Sequence, residues 1–115
     1  MVEAKIKPIL PVLREKKRYL VFEVITESEL SANDVFKTVK EALIGYIGTK
    51  GASEAGILFL TDKFQNNTGI IKVNNKKLDE LKMALLLIKK IKNQEVIFKT
   101  KGVSGILKKA IEKFR

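Results

Sequence analysis

A chain of 115 residues with 45% hydrophobic and 31% charged residues has enough apolar material for one folded domain, which argues against disorder. Its 23 Lys and Arg against 13 Asp and Glu give a formal charge of +10, which favours a polyanionic partner (nucleic acid or an anionic membrane surface) over a merely soluble, Lys-rich surface. It has no cysteine and no histidine, which excludes disulfides, thiol nucleophiles and Cys-ligated metals, and removes the usual general base and the commonest transition-metal ligand.

In chain order, residues 1–15 carry Pro8 and Pro11 among Ile, Leu and Lys. Proline fixes φ and removes a backbone donor, so an extended N-terminal arm is expected, ahead of one domain over residues 16–115. Arg18 to Ile25 is aromatic and β-branched, as suits a central strand. Ser31 is placed to cap a helix with Asp34 three residues on, and Val35, Val39, Leu43 and Ile47 follow at helical spacing. Gly48 is expected to stop that helix, leaving GTKGASEAG as a flexible loop. Ile57 to Thr61 and Ile70 to Val73 read as a hairpin whose turn, DKFQNNTG, holds residues tolerant of positive φ. Asn74 or Asn75 caps the next expected helix, Lys77 to Lys92. Val96 to Lys99 is the fourth strand, KGVSG punctuates, and Ile106 to Phe114 forms a third helix with Ile106, Leu107, Ala110, Ile111 and Phe114 on one stripe. The order β-α-β-β-α-β plus a C-terminal helix predicts an α+β, ferredoxin-like fold, with a four-stranded antiparallel sheet and two helices on one face. The longest apolar run, Met83 to Ile88, is too short to span a bilayer. With no apolar leader ahead of a small-residue cleavage site, a cytoplasmic location without membrane attachment is expected.

Two features exceed what such a fold needs. On a wheel of 100° per residue, Leu78, Leu81, Ala84, Leu85, Ile88 and Ile91 share the sheet-facing stripe of the second helix, while Met83, Leu86 and Leu87 fall opposite, near Lys90. The third helix or the N-terminal arm covers that second stripe, or else it is a partner-binding patch. The charge is also segregated. Residues 1–69 hold 10 basic and 9 acidic residues, whereas residues 70–115 hold 13 and 4. Such asymmetry is the pattern of an electrostatic footprint.

Catalytic constellations are scarce. Asp79 and Glu80 lie in a first helical turn, where they complement the helix dipole. Glu23 stands alone in the first strand and is better explained by a cross-strand pair with Lys72 or Lys99. Tyr19 and Phe22 differ by an odd number and must point to opposite faces, so a two-ring base-stacking platform is not expected and most sheet aromatics belong to the core. Phe64 sits in a polar turn with no obvious core to join; it suits stacking on a base or, the preferred reading, a protein contact. The segment Lys101 to Gly105 offers two glycines around Ser104 at a helix start, with Lys108 and Lys109 one turn on. It suits either a phosphate or plain capping by Ser104. Lys16 to Arg18 form a compact basic cluster entering the first strand.

Three stretches, LPVLREKKRYLVFEV (10–24), GILFLTDKFQNNTGIIKV (56–73) and FKTKGVSGILKKAIEKF (98–114), together resemble the archaeal ribonuclease P protein component 2 family over nearly the whole chain. The resemblance implies an RNA-recognition-motif-like sandwich with an added helix, in a complex that removes the 5′ leader from precursor tRNA. It implies catalysis by the RNA subunit with bound Mg²⁺, so this chain itself would carry no cofactor, metal or active site. The implied partners are the catalytic RNA, a TIM-barrel-type subunit, other ribonuclease P proteins and a heterotetramer made of two such pairs. On that reading Lys16, Lys17, Arg18, Lys72, Lys99, Lys101, Ser104, Lys108 and Lys109 would meet RNA, and Phe64, Met83, Leu86 and Leu87 would meet protein. The alternative is a protein-interaction adaptor whose basic charge is incidental; salt separates the two, because apolar docking survives high salt and phosphate binding does not.

Overall fold

The computed structural model describes residues 16–114; the expected N-terminal arm lies outside them. Strand β1 (Lys17–Ile25) runs through the middle of a four-stranded antiparallel sheet, flanked by β3 (Thr68–Asn74) and β6 (Ile97–Ser104), with the two-residue β2 (Leu58–Phe59) outside β3. The order β2-β3-β1-β6 is that of a ferredoxin-like sheet, as the element order predicts. Alternation along β1 divides the molecule. Leu20, Phe22 and Val24 enter the main core with Val35, Val39 and Leu43 of helix α1 (Ala32–Ala55) and Leu81, Ala84 and Leu85 of helix α2 (Leu78–Leu87). Val21 points the other way and, with Ile70, packs on Ala110 of helix α3 (Leu107–Phe114). Tyr19 and Phe22 thus face opposite sides, as their spacing requires, and Phe22, Phe59 and Phe98 are all core residues.

The expected punctuation holds at several points. The Ser31 hydroxyl accepts from the Asp34 N–H at 3.2 Å and caps α1. At the same helix start the Lys92 ammonium, 3.1 Å from the carboxylate, and then the Ser31 hydroxyl hold Asp34 below its ordinary pKa. The Asn74 side chain accepts from Lys76 N–H at 3.0 Å, but it caps the short 3₁₀ turn Asn75–Lys77 rather than α2, whose N-cap, Lys77, makes no side-chain capping bond. Asn66 and Asn67 take φ of 52° and 58° in the turn before β3. Asn67 also ties that turn to the segment after β1: its Oδ1 accepts from Leu30 N–H at 2.9 Å and its Nδ2 donates to Ser28 O at 3.1 Å. Replacing Asn67 by Ala strands the partly buried Leu30 N–H and places a β-carbon at positive φ. Chemical denaturation should show a loss of about 1–3 kcal/mol.

Three expectations fail, each for a physical reason. Gly48 does break helical geometry as expected, at φ 81° and ψ 170°, so that two helical segments meet at a kink within α1, but the loop expected after it is absent. Helix resumes at once and runs to Ala55, where Gly56 (φ 55°) provides the left-handed cap. The residues read as a loop are helical because Ala52 and Ala55 pack on the core. Helix α2 ends at Leu87, not at Lys92. Ile88 and Ile91 are buried as expected, but Ile88 caps the end of α2 in extended geometry and Ile91 lies on a hairpin of β4 (Lys90–Ile91) and β5 (Gln94–Glu95), turned by Lys92 and Asn93 at positive φ. An apolar pair three residues apart fits a helix and this arrangement equally well. Finally, β6 continues through Lys101–Ser104, where only a loop was expected. The Phe114 ring lies where a side chain on Gly102 would stand, so glycine lets α3 close onto the strand.

Candidate nucleic-acid interface

Antiparallel pairing brings the start of β1 to the ends of both its neighbours. Lys17 faces Asn74, Tyr19 faces Lys72 on one side and Ser104 on the other, and Asn75 N–H donates to Lys16 O at 2.8 Å. Lys16, Lys17, Arg18, Lys72, Lys76 and Lys77 therefore gather at one end of the sheet, beside the turn that leads into α3. Lys16 and Lys17 are exposed and Arg18 is half-buried. The Arg18 guanidinium donates to Lys17 O at 3.2 Å and reaches to 3.2 Å from where a Gly105 side chain would begin. Lys77 is drawn to carboxylates, 3.9 Å from both Glu54 and Glu80. Lys108 and Lys109, both exposed, open α3 just past Ser104 and Gly105.

The sequence missed Lys76 and Lys77 as members of this cluster. The signal was available, because an antiparallel strand ending at Asn74 must deliver the next few residues to the start of β1. Two residues chosen from the sequence lie away from it. Lys99 faces Glu23, six residues along β1 from Lys17 and so roughly 20 Å distant. Of the two partners considered for Glu23, register thus selects Lys99 and gives Lys72 to Tyr19. Lys101 is the extra residue of a bulge: Val21 pairs with Gly102 and Phe22 with Thr100, which leaves Lys101 without an opposite number.

The phosphate cradle considered at Lys101 to Gly105 does not form. Lys101 to Ser104 are strand, and Gly102 is paired to Val21 and covered by Phe114. The Ser104 hydroxyl accepts from Ile106 N–H at 3.1 Å and donates to Ile106 O at 3.0 Å, so it is engaged in the turn that leads into α3. Phe64, against expectation, does have a core to join. Its ring is half-buried, lies 6.2 Å from the Phe59 ring and packs on the main core and over Gly69.

Among the described residues nothing covers the second stripe of α2. Met83, Leu86 and Leu87 are 43%, 59% and 54% exposed. Helix α3 cannot cover them, because it lies on the opposite face of the sheet. Across from Leu87, a groove of about 450 Å³ runs between α1 and the end of α2, and its wall includes Tyr46, a residue that no sequence pattern singles out. Among the described residues no group of three or more acidic side chains is arranged to hold a metal ion, and no helix is long and apolar enough to cross a membrane.

Comparison with known proteins agrees with these features. The chain is 37% identical over 110 residues to ribonuclease P protein component 2 of Thermococcus gammatolerans, covering 96% of this chain and 92% of the relative. It is 35% identical to the protein of the same name from Methanococcus aeolicus, covering 95% and 79%. Among solved structures, a chain in the cryo-EM structure of yeast ribonuclease MRP superposes with a TM-score of 0.62 over 80% of this chain and 76% of that one. Only 11% of residues are identical, so this likeness speaks to the fold. The family model described as Rpp14/Pop5 matches residues 18–115, and the chain belongs to that family.

Proposed function

We infer that the chain is a protein subunit of ribonuclease P that supports the catalytic RNA during removal of the 5′ leader from precursor tRNA, and makes or breaks no bond itself. One observation carries the reading: in a member of this family, the sheet topology gathers basic side chains from β1, β3 and the start of α3 at one end of the molecule. Lysine and arginine at that end neutralise RNA phosphates, and release of condensed counterions makes such binding fall steeply with salt. The chemistry belongs to the RNA and its Mg²⁺.

The exposed Met83, Leu86 and Leu87 on α2 serve a second contact, with a protein subunit of the complex. A TIM-barrel-type subunit and a pairing of two such heterodimers fit a molecule whose basic end and apolar helix face lie on different elements. The adaptor reading is weaker, because an incidental surplus of lysine would not concentrate at one end of a sheet.

The test is reconstitution with the catalytic RNA and the other protein subunits at low Mg²⁺. Omitting this chain should slow precursor-tRNA cleavage, and adding it back should restore the rate. Leu86→Ser with Leu87→Ser should weaken association with the protein partner while RNA binding stays within twofold. A cleavage rate indifferent to the chain would sink the subunit reading.

A further inference from the structure

One cross-strand row spans the whole sheet. Leu58 on β2 faces Lys72 on β3, Lys72 faces Tyr19 on β1, and Tyr19 faces Ser104 on β6. Residues directly opposite in a sheet share a face, so this row lies on the side that carries α3. Helix α3 does not blanket that side. It sits on the adjacent row, where Val21 and Ile70 meet Ala110 and the Phe114 ring rests on Gly102. The outer row stays partly open: Leu58 is 54% exposed, and Tyr19 and Lys72 are half-buried.

Tyr19 differs from the other aromatics of the sheet. Phe22, Phe59 and Phe98 are buried beneath α1 and α2. The Tyr19 ring instead packs one flank on the Val21–Ile70–Ala110 cluster, while the Lys72 ammonium stands 5.9 Å from its centroid. The row also borders the end of β1 where Lys17 and Arg18 begin the strand. A ring steadied by packing, a lysine ammonium over it and an exposed apolar neighbour are the components of a stacking site for a base with its phosphate close by.

We propose that Tyr19 and Lys72 form a stacking site for a single unpaired nucleotide of RNA. The base lies on the exposed part of the Tyr19 ring with Leu58 at its flank, and the Lys72 ammonium swings on its four-carbon stem to the neighbouring phosphate. Every base offers a π-face, so the site tolerates sequence but requires a single strand. Because α3 occupies the middle of the face, it has room for one base, where an open four-stranded sheet stacks two or three. The proposal rests on the RNA-binding reading above and adds which part of the RNA meets the sheet.

The experiment uses the full chain and a 12-nucleotide single-stranded RNA, with the same sequence in duplex form alongside. Binding is followed by anisotropy of labelled RNA and, separately, by tyrosine emission, to which only Tyr19 and Tyr46 contribute in a chain without tryptophan. The single strand should quench part of the wild-type emission, the duplex should not, and Tyr19→Phe should abolish that quenching while binding within twofold of wild type. Tyr19→Ala should bind the single strand about tenfold more weakly or worse, with duplex affinity unchanged. Salt-sensitive binding of the single strand with emission unmoved, and equal affinity in Tyr19→Ala, would overturn the stacking site and leave the RNA-binding reading standing. Failure of the wild-type chain to bind either RNA at low salt would overturn both.

Discussion

Reversing charge at the start of β1, by Lys17→Glu together with Arg18→Glu, is expected to weaken association with the catalytic RNA on the order of a hundredfold at low salt, since each lost charge-assisted contact to phosphate is worth about 1.5–3 kcal/mol. The slope of log affinity against log salt should fall by roughly 2, one for each phosphate contact removed. Lys17 is exposed and Arg18 is half-buried, so thermal stability should move little. The control is the same charge change at Lys37 and Lys40, both exposed on α1 and outside the gathered cluster. If the control pair lost as much affinity as Lys17 and Arg18, only net charge would matter and the basic end would have no special standing. Reconstituted cleavage of precursor tRNA at low Mg²⁺ should follow the binding data, with the Lys17 and Arg18 variant far slower than the control.

The largest expected loss of stability comes from Phe22→Ala. Phe22 is completely buried at the centre of β1, with its ring 5.6 Å from Phe98 and 5.9 Å from Phe59. It also fills the space above Gly69, where an ideal Cβ would stand 2.8 Å from the ring. Removing it leaves a cavity walled by β3, β6 and β2, whose backbones are pinned by the sheet and cannot collapse inward. The cost should be about 3–5 kcal/mol, lowering Tm on the order of 10–30 °C for a domain of this size. Gly69→Ala attacks the same contact from the other side and should also destabilise, by overpacking against Phe22 and Phe64. If Phe22→Ala melted within a few degrees of wild type, the stacked aromatic centre would not be the keystone of the main core.

Much of the sandwich was legible because its signals are local. The β-branched run in β1, the Ser31 cap, the apolar period of α1 and the paired asparagines of the β3 turn each restrict the backbone through their own sterics or their own hydrogen bonds. Their order then leaves few ways to build a sheet. The resemblance was legible for the same reason, since its quoted stretches are those strands and turns. The errors fall where a residue's fate depends on a distant neighbour. Ile88 reaches the core from the helix C-cap and Ile91 from a hairpin, although their spacing fits one continuous helix. Phe64 has a core to join only because Phe59 and Gly69 are folded beneath it.

The candidate site divides along the same line. By itself the sequence determined the charge and its segregation, the absence of the commonest catalytic side chains, and the basic triplet before β1, because these are properties of composition and order. Only the tertiary structure decided which lysines lie together. Antiparallel pairing carries Lys72, Lys76 and Lys77 to the start of β1 and sets Lys99 and Lys101 apart. It also placed α3 on the face opposite α1 and α2, so that α3 cannot cover the back of α2 and Tyr19 stands at the margin of a partly open row. The physical reason is register: strand pairing joins residues distant in sequence, and that choice is made by the packing of both faces at once.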